Sequence, residues 1–84
     1  MSQVEQLQVL TLERVDRNKR MARYYVLSID PTLFAGFSLT REWGRIGAPG
    51  RRRIELHVNA DHARMELDKW LRRKRGSGYV ASPD

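Results

Sequence analysis

Residues 51–75, RRRIELHVNADHARMELDKWLRRKR, change their apolar period partway along, and the change decides the fold. Up to Val58 the period is two: Ile54, Leu56 and Val58 alternate with Arg53, Glu55 and His57, placing one set inward and one outward on a strand. From Asn59 it lengthens to about 3.6. Ala60, Ala63, Leu67, Trp70 and Leu71 then share one stripe, and Asp61, Arg64, Asp68, Lys69 and Arg72 cover the rest. Asn59 is placed as an N-cap with Asp61 in the first turn. Arg72, Arg73, Lys74 and Arg75 occupy the last turn, and Gly76 follows as the stop.

Upstream the pattern is β throughout. Leu7–Val15 (LQVLTLERV) interleaves aliphatic with polar residues, Asp16–Arg20 form a basic turn, and Arg23–Ile29 (RYYVLSI) resumes the alternation, so the two runs read as a hairpin. Asp30-Pro31 ends the second strand, and a loop through Leu33, Phe34 and Gly36 leads to a third, Phe37–Ile46 (FSLTREWGRI). Gly47-Ala48-Pro49-Gly50 is a turn by composition. Tyr79-Val80 is the sizeable apolar pair of the tail and is expected to fold back onto the body. The expected fold is α+β: about four antiparallel strands with one amphipathic helix on one face. It is a single domain over residues 1–84, with its core at about 7–80 and loose termini.

Eighty-four residues hold one small core, burying about 60% of the surface of the unfolded chain. The chain has no cysteine, which excludes disulfides, thiolate catalysis and Cys-based metal sites. Two histidines, His57 and His62, straddle the strand-to-helix junction with no ordered acids beside them, so they read as surface residues and no metal or cofactor is expected. Paired carboxylates, a nucleophile with its base and a metal set are all missing, so no enzymatic activity is expected. No run approaches the roughly 18 apolar residues of a spanning helix, and no basic stretch leads into a short apolar one, so a cytoplasmic protein away from membranes is expected.

Sixteen Lys and Arg against ten Asp and Glu give a formal charge of +6. Residues 1–40 hold five basic and four acidic groups, a net +1, while residues 41–84 hold eleven and six, a net +5. Such concentration points to a partner of negative charge. A structural alternative stands beside it: basic groups in the last helical turn complement the helix dipole, and Arg51–Arg53 can guard an edge strand. Gly44, Gly47 and Gly50 before Arg51 invite a phosphate-cradle reading, but the Lys-Ser/Thr and the following helix of a phosphate-binding loop are missing, and a plain turn is preferred.

The third strand carries the sharpest signal. Phe37, Leu39, Arg41, Trp43 and Arg45 share one parity, so a face that begins apolar ends with a tryptophan between two arginines. Either the strand outruns the helix, or a bulge near Gly44 rotates its face. Trp43 is then a core-edge residue or an accessible aromatic whose ring meets a sugar or base while the cations meet phosphates. Trp70, spaced with Leu67 and Ala63, reads as core. One of Tyr24 and Tyr25 faces inward and the other outward.

Arg41-Glu42-Trp43-Gly44-Arg45-Ile46-Gly47, after Phe37-Ser38-Leu39 and before a basic strand, an amphipathic helix and Gly78-Tyr79, resembles the WGR domain, named for its Trp-Gly-Arg signature. The resemblance runs from about Leu10 to Tyr79 and takes in Arg23-Tyr24-Tyr25; the ordered set is far more specific than the tripeptide alone. It implies a mostly β domain with one helix, and nucleic-acid contact. In the poly(ADP-ribose) polymerases that carry this domain it binds DNA at strand breaks, the motif tryptophan stacking on a terminal ribose and the motif arginine serving neighbouring domains. By position these are Trp43 and Arg45, with Gly44, Gly47 and Tyr79 as structural parts of the motif. A family lysine before the Gly-rich end of the helix also approaches DNA and corresponds to Lys74, beside Arg75. Those polymerases carry catalytic, helical and zinc-finger domains that these 84 residues do not, so Arg45 has no interdomain partner here; the chain looks more like the small bacterial members of the family.

Two expectations follow. One is a DNA-binding module that prefers ends or strand breaks, with Trp43 stacking and Arg41, Arg45, Arg51, Arg53, Lys74 and Arg75 meeting phosphates. The other is a protein-interaction module centred on Trp43 and Arg45, for an acidic partner or a second copy.

Overall fold

The computed structural model describes residues 8–33 and 35–82. Five strands form one antiparallel sheet: β1 (Gln8–Asp16), β2 (Met21–Pro31), β3 (Phe37–Arg45), β4 (Arg51–His57) and β5 (Val80–Ala81), in the order β4-β3-β2-β1-β5. A single helix, α1 (Ala60–Gly76), packs on one face. The α+β class and the placement of the helix follow the sequence pattern. The fifth strand was read there only as a tail folded back. It pairs with β1 through Leu12↔Ala81 and Glu13↔Val80, and Ser82 Oγ donates to the Glu13 carboxylate at 2.9 Å. The expected loose termini and the Phe34 part of the loop lie outside the described residues.

Because side chains alternate along each strand, the register defines a grid on the helix side of the sheet. Leu12, Tyr25, Trp43 and Arg51 form one cross-strand row; Leu10, Leu27, Arg41 and Arg53 the next; Ile29, Leu39 and Glu55 a third. The core is Leu12, Tyr25, Leu27, Ile29 and Leu39 of the sheet against Ala63 and Leu67 of α1, with Leu10, Phe37, Trp43, Trp70, Leu71 and Tyr79 around it. Full burial of each large aliphatic contributes about 1.5–3 kcal/mol, so this small cluster carries most of the stability.

Two expectations are corrected, and the inward set of β4, left open by the alternation, is decided. Pro31 does not stop β2 short but is its last residue, opposite Phe37, a position where a proline is tolerated. Helix α1 runs through Gly76 and is capped at Ser77, whose N–H and hydroxyl both reach the Arg73 and Lys74 carbonyls; at the other end Asn59 Oδ1 accepts from His62 N at 2.8 Å. On β4 the inward set is Arg53, Glu55 and His57. Ile54 and Leu56 face the open side at 55% and 76% exposure, and Val58 just beyond the strand is 76% exposed. The helix packs on the opposite face of the sheet, against β2, β3 and β4, so the aliphatic set of β4 points to the side that has no layer above it.

Candidate nucleic-acid interface

Strand β3 pairs without interruption from Phe37 to Arg45 on β2 and from Phe37 to Trp43 on β4, so no bulge turns its face at Gly44. The strand outruns the helix instead, and one face changes character along its length. Leu39 is fully buried under α1, Arg41 is 8% exposed, Trp43 is half-buried and Arg45 is in solvent.

Arg41, expected at a phosphate, is held in the fold. Its Nη1 donates to the Tyr25 hydroxyl at 3.1 Å, its Nη2 lies 3.6 Å from Glu55, and its guanidinium stacks 3.8 Å from the Trp70 ring centroid. A guanidinium is accepted here because it is flat, weakly hydrated and covered by an aromatic face. Trp70 packs at the core edge as its spacing indicated, and its indole N–H donates to Glu66 at 3.2 Å. The Lys69 ammonium hydrogen-bonds the same carboxylate and holds Glu66 below the usual carboxylate range.

Trp43 stacks beside Tyr25, with centroids 5.8 Å apart and planes 16° from parallel, and Tyr79 meets Tyr25 edge-on at 6.0 Å. The open question between the two tyrosines is resolved: Tyr25 is core, and Tyr24 lies on the opposite face, its hydroxyl donating to Glu42 at 3.4 Å. Burial, then the Glu42 charge, push the Tyr24 phenol above its ordinary value. Lys74, from the last turn of α1, places its ammonium 4.6 Å from the Tyr25 centroid and 5.7 Å from that of Tyr79. Burial holds Lys74 below the ordinary lysine range, and the nearby Arg41 and Arg73 charges act in the same direction.

Beyond Trp43 the next row of the grid is entirely arginine. Arg14 opposes Arg23, and Arg23 opposes Arg45, on three adjacent strands. Like charges in direct cross-strand register oppose folding by a few tenths of a kcal/mol or more each. Among the described residues none of Arg14, Arg23, Arg45, Arg51 or Lys74 pairs with a carboxylate. A shallow cleft at this end is lined by Lys19, Arg20, Met21, Ala22, Arg23 and Arg45. Of the acidic residues of the sheet, Glu13, Asp30 and Glu42 lie on the other face; Glu55 on this face is engaged by Arg41 and His57, and Asp16, one row beyond the arginines, accepts from the Asn18 and Lys19 backbone N–H groups.

The fold thus gathers Trp43, Arg45, Arg51, Lys74 and Tyr79 at one end of the sheet. Arg53 sits one row further along, Arg75 is exposed on the last helical turn, and Arg41 is withdrawn into the core. Arg14 and Arg23 join the cluster without having been singled out from sequence. Gly44 is where two backbones meet, since a Cβ there would stand 2.8 Å from Gly50 Cα, and Gly47 takes a left-handed φ of +87° in the turn. His57 is less exposed than expected, its Nε2 3.7 Å from Glu55, whereas His62 is a surface residue. No group of three or more His, Asp or Glu able to hold a metal occurs among the described residues, and no described helix is long and apolar enough to cross a membrane.

Comparison with known proteins agrees with the geometry. The chain is similar to the uncharacterized protein y4dW of Sinorhizobium fredii, 44% identical over 75 residues, which is 88% of this chain but 36% of that protein. The chain therefore spans about a third of the length of this curated relative. No solved structure matches it with significance. The WGR domain profile matches residues 8–84, the whole described sheet and helix with the Trp43-Gly44-Arg45 strand at its centre; the chain belongs to the WGR domain family.

Proposed function

We propose that this chain is a nucleic-acid-binding module that takes DNA and prefers ends, nicks or other exposed termini. The observation that carries the reading is the arginine row Arg14-Arg23-Arg45 lying beside the half-exposed Trp43, with none of the three in an ion pair among the described residues. A row of like charges in direct register is a standing cost to the monomer that a polyanion relieves. Trp43, braced on Tyr25, is half-exposed at the sheet's end, where a terminal sugar or base can reach it and an uninterrupted duplex presents only its backbone. Arg14, Arg23, Arg45, Arg51 and Lys74 surround that ring as phosphate contacts, with Arg53 and Arg75 further out. Membership of the WGR family supports the same reading.

The test is fluorescence anisotropy with a labelled blunt or nicked duplex, competed by closed circular DNA. Salt-sensitive binding is expected, with log K falling against log salt at a slope of about −4 for four or five neutralised phosphates. Closed circles should compete poorly, and Trp43→Ala should weaken end binding by about 1–3 kcal/mol, the weight of one base stack. Equal competition by closed circles removes the end preference and leaves electrostatic binding. No binding at low salt removes the nucleic-acid reading altogether.

A further inference from the structure

Among the described residues, strand β4 is the one edge of the sheet left wholly free: β1 on the other side is partly covered by the two-residue β5, whereas β4 presents seven residues of outer backbone. Folds usually blunt such an edge with a proline, a bulge or a cover. β4 contains no proline and pairs with β3 without a bulge, and Ile54 and Leu56 stand exposed on its open side. Its guard is charge, Arg51–Arg53 together with the inward-facing Glu55, and that charge is unbalanced. Arg53 faces the helix side, exposed, with no carboxylate partner among the described residues, two positions from Glu55 on the same face.

We propose that β4 is a self-recognition edge, on which two copies of this chain pair antiparallel about a two-fold axis through Ile54. The order of side chains along the strand selects both the partner and the register. An axis at Ile54 sets Arg53 of each copy opposite Glu55 of the other, Ile54 opposite Ile54, Arg52 opposite Leu56 and Arg51 opposite His57, so all seven residues of the strand are used. Two other registers keep most of the strand paired. An axis at Arg53 sets Arg53 against Arg53, and an axis at Glu55 sets Glu55 against Glu55; each places like charges in direct opposition. The Arg53 register also sets Arg51 opposite Glu55, but against an Arg53–Arg53 contact; only the Ile54 register forms two cross-copy Arg–Glu pairs with no like charges opposed. On the other side of the sheet the exposed Ile54 and Leu56 of both copies adjoin in a single apolar stripe.

An axis of this kind stands normal to the sheet, so both helices lie on one side. The Trp43 row lies at the Arg51 end of β4, and antiparallel pairing carries the two rows to opposite ends of the joined sheet. The dimer is therefore a two-ended platform. Its formation is independent of whether those ends take nucleic acid.

The chain lacks cysteine, so one introduced thiol reports the axis without background. Sedimentation of the unmodified chain from micromolar to near-millimolar concentration is expected to show a monomer–dimer equilibrium. Ile54→Cys should then oxidise to a disulfide dimer about tenfold or more faster than Leu33→Cys, a control on the exposed β2–β3 loop at the His57 end of β4, which antiparallel pairing sets at opposite ends of the joined sheet. Arg53→Glu, which sets carboxylate against carboxylate, should weaken dimerisation about tenfold or more, and Ile54→Lys should abolish it. Both positions are exposed, and an unchanged circular dichroism spectrum checks that the monomer remains folded. A chain that stays monomeric throughout, with equal oxidation rates at positions 54 and 33, overturns the proposal. So does a dimer that survives Ile54→Lys.

Discussion

Arg41 and Arg45 occupy the same face of the same strand, four residues apart, and perform opposite tasks. Arg41 is a structural cation clamped by Tyr25, Glu55 and Trp70, so Arg41→Ala leaves an ion-pair partner and an indole face without their contacts; urea denaturation should show a loss of about 2–3 kcal/mol. Arg45→Ala should leave stability within about 0.5 kcal/mol while weakening DNA binding. Parity alone could not separate the two. What distinguishes them is Trp70, which arrives from a helix nearly thirty residues later in the chain, a tertiary contact with no local trace. Lys74 carries a second prediction. Its pKa is lowered in the free chain by burial and by Arg41 and Arg73, and a bound phosphate favours its charged form, so binding takes up a proton. Affinity should fall as pH rises from the lowered Lys74 value towards that of an ordinary lysine, and Lys74→Arg, which stays charged, should flatten that part of the profile in an anisotropy titration.

At the scale of elements, the switch of period in residues 51–75 was enough to find β4 and α1, and the hairpin turns were legible from their polar and glycine content. The face of β4 was not. Alternation says that two sets of side chains point opposite ways, and hydrophobicity normally says which is inside; on this edge strand the helix side is taken by Arg53, Glu55 and His57, Glu55 holding Arg41, and the second inference fails. β5 escaped notice because two residues have no period. The β3–β4 hairpin makes a prediction of its own. A Cβ on Gly50 would collide with the Trp43 carbonyl and the Tyr24 hydroxyl, so Gly50→Ala should cost about 1–3 kcal/mol. Gly47→Ala meets no atom within 4 Å and has only its left-handed backbone against it, about 1–2 kcal/mol; thermal melts of the pair rank crowding against conformation.

At the scale of the whole molecule, counting charge by halves found the excess but misplaced part of its source. Arg14 and Arg23 come from the nearly neutral first half and reach the basic end only because the β1–β2–β3 register sets them beside Arg45, a long-range pairing that a single sequence does not display. If both meet phosphate, replacing the pair with alanine should reduce the salt slope by about 1.8, at similar cost for every DNA sequence. The folded body measures 46 × 24 × 23 Å, with the arginine row and the β2–β3 loop at opposite ends of the strands. The described chain enters at Gln8, opposite Ile29 and so towards the β2–β3 loop, and leaves at Ser82, whose N–H bonds the Thr11 carbonyl as the chain runs back along β1 in the same direction. Entry and exit therefore lie on the β1–β5 side of the sheet, at least two strands across from Trp43. A body wired in this way can be spliced into a surface loop of a host protein, or tethered to a sensor chip by either terminus, without its working end being turned away from solution.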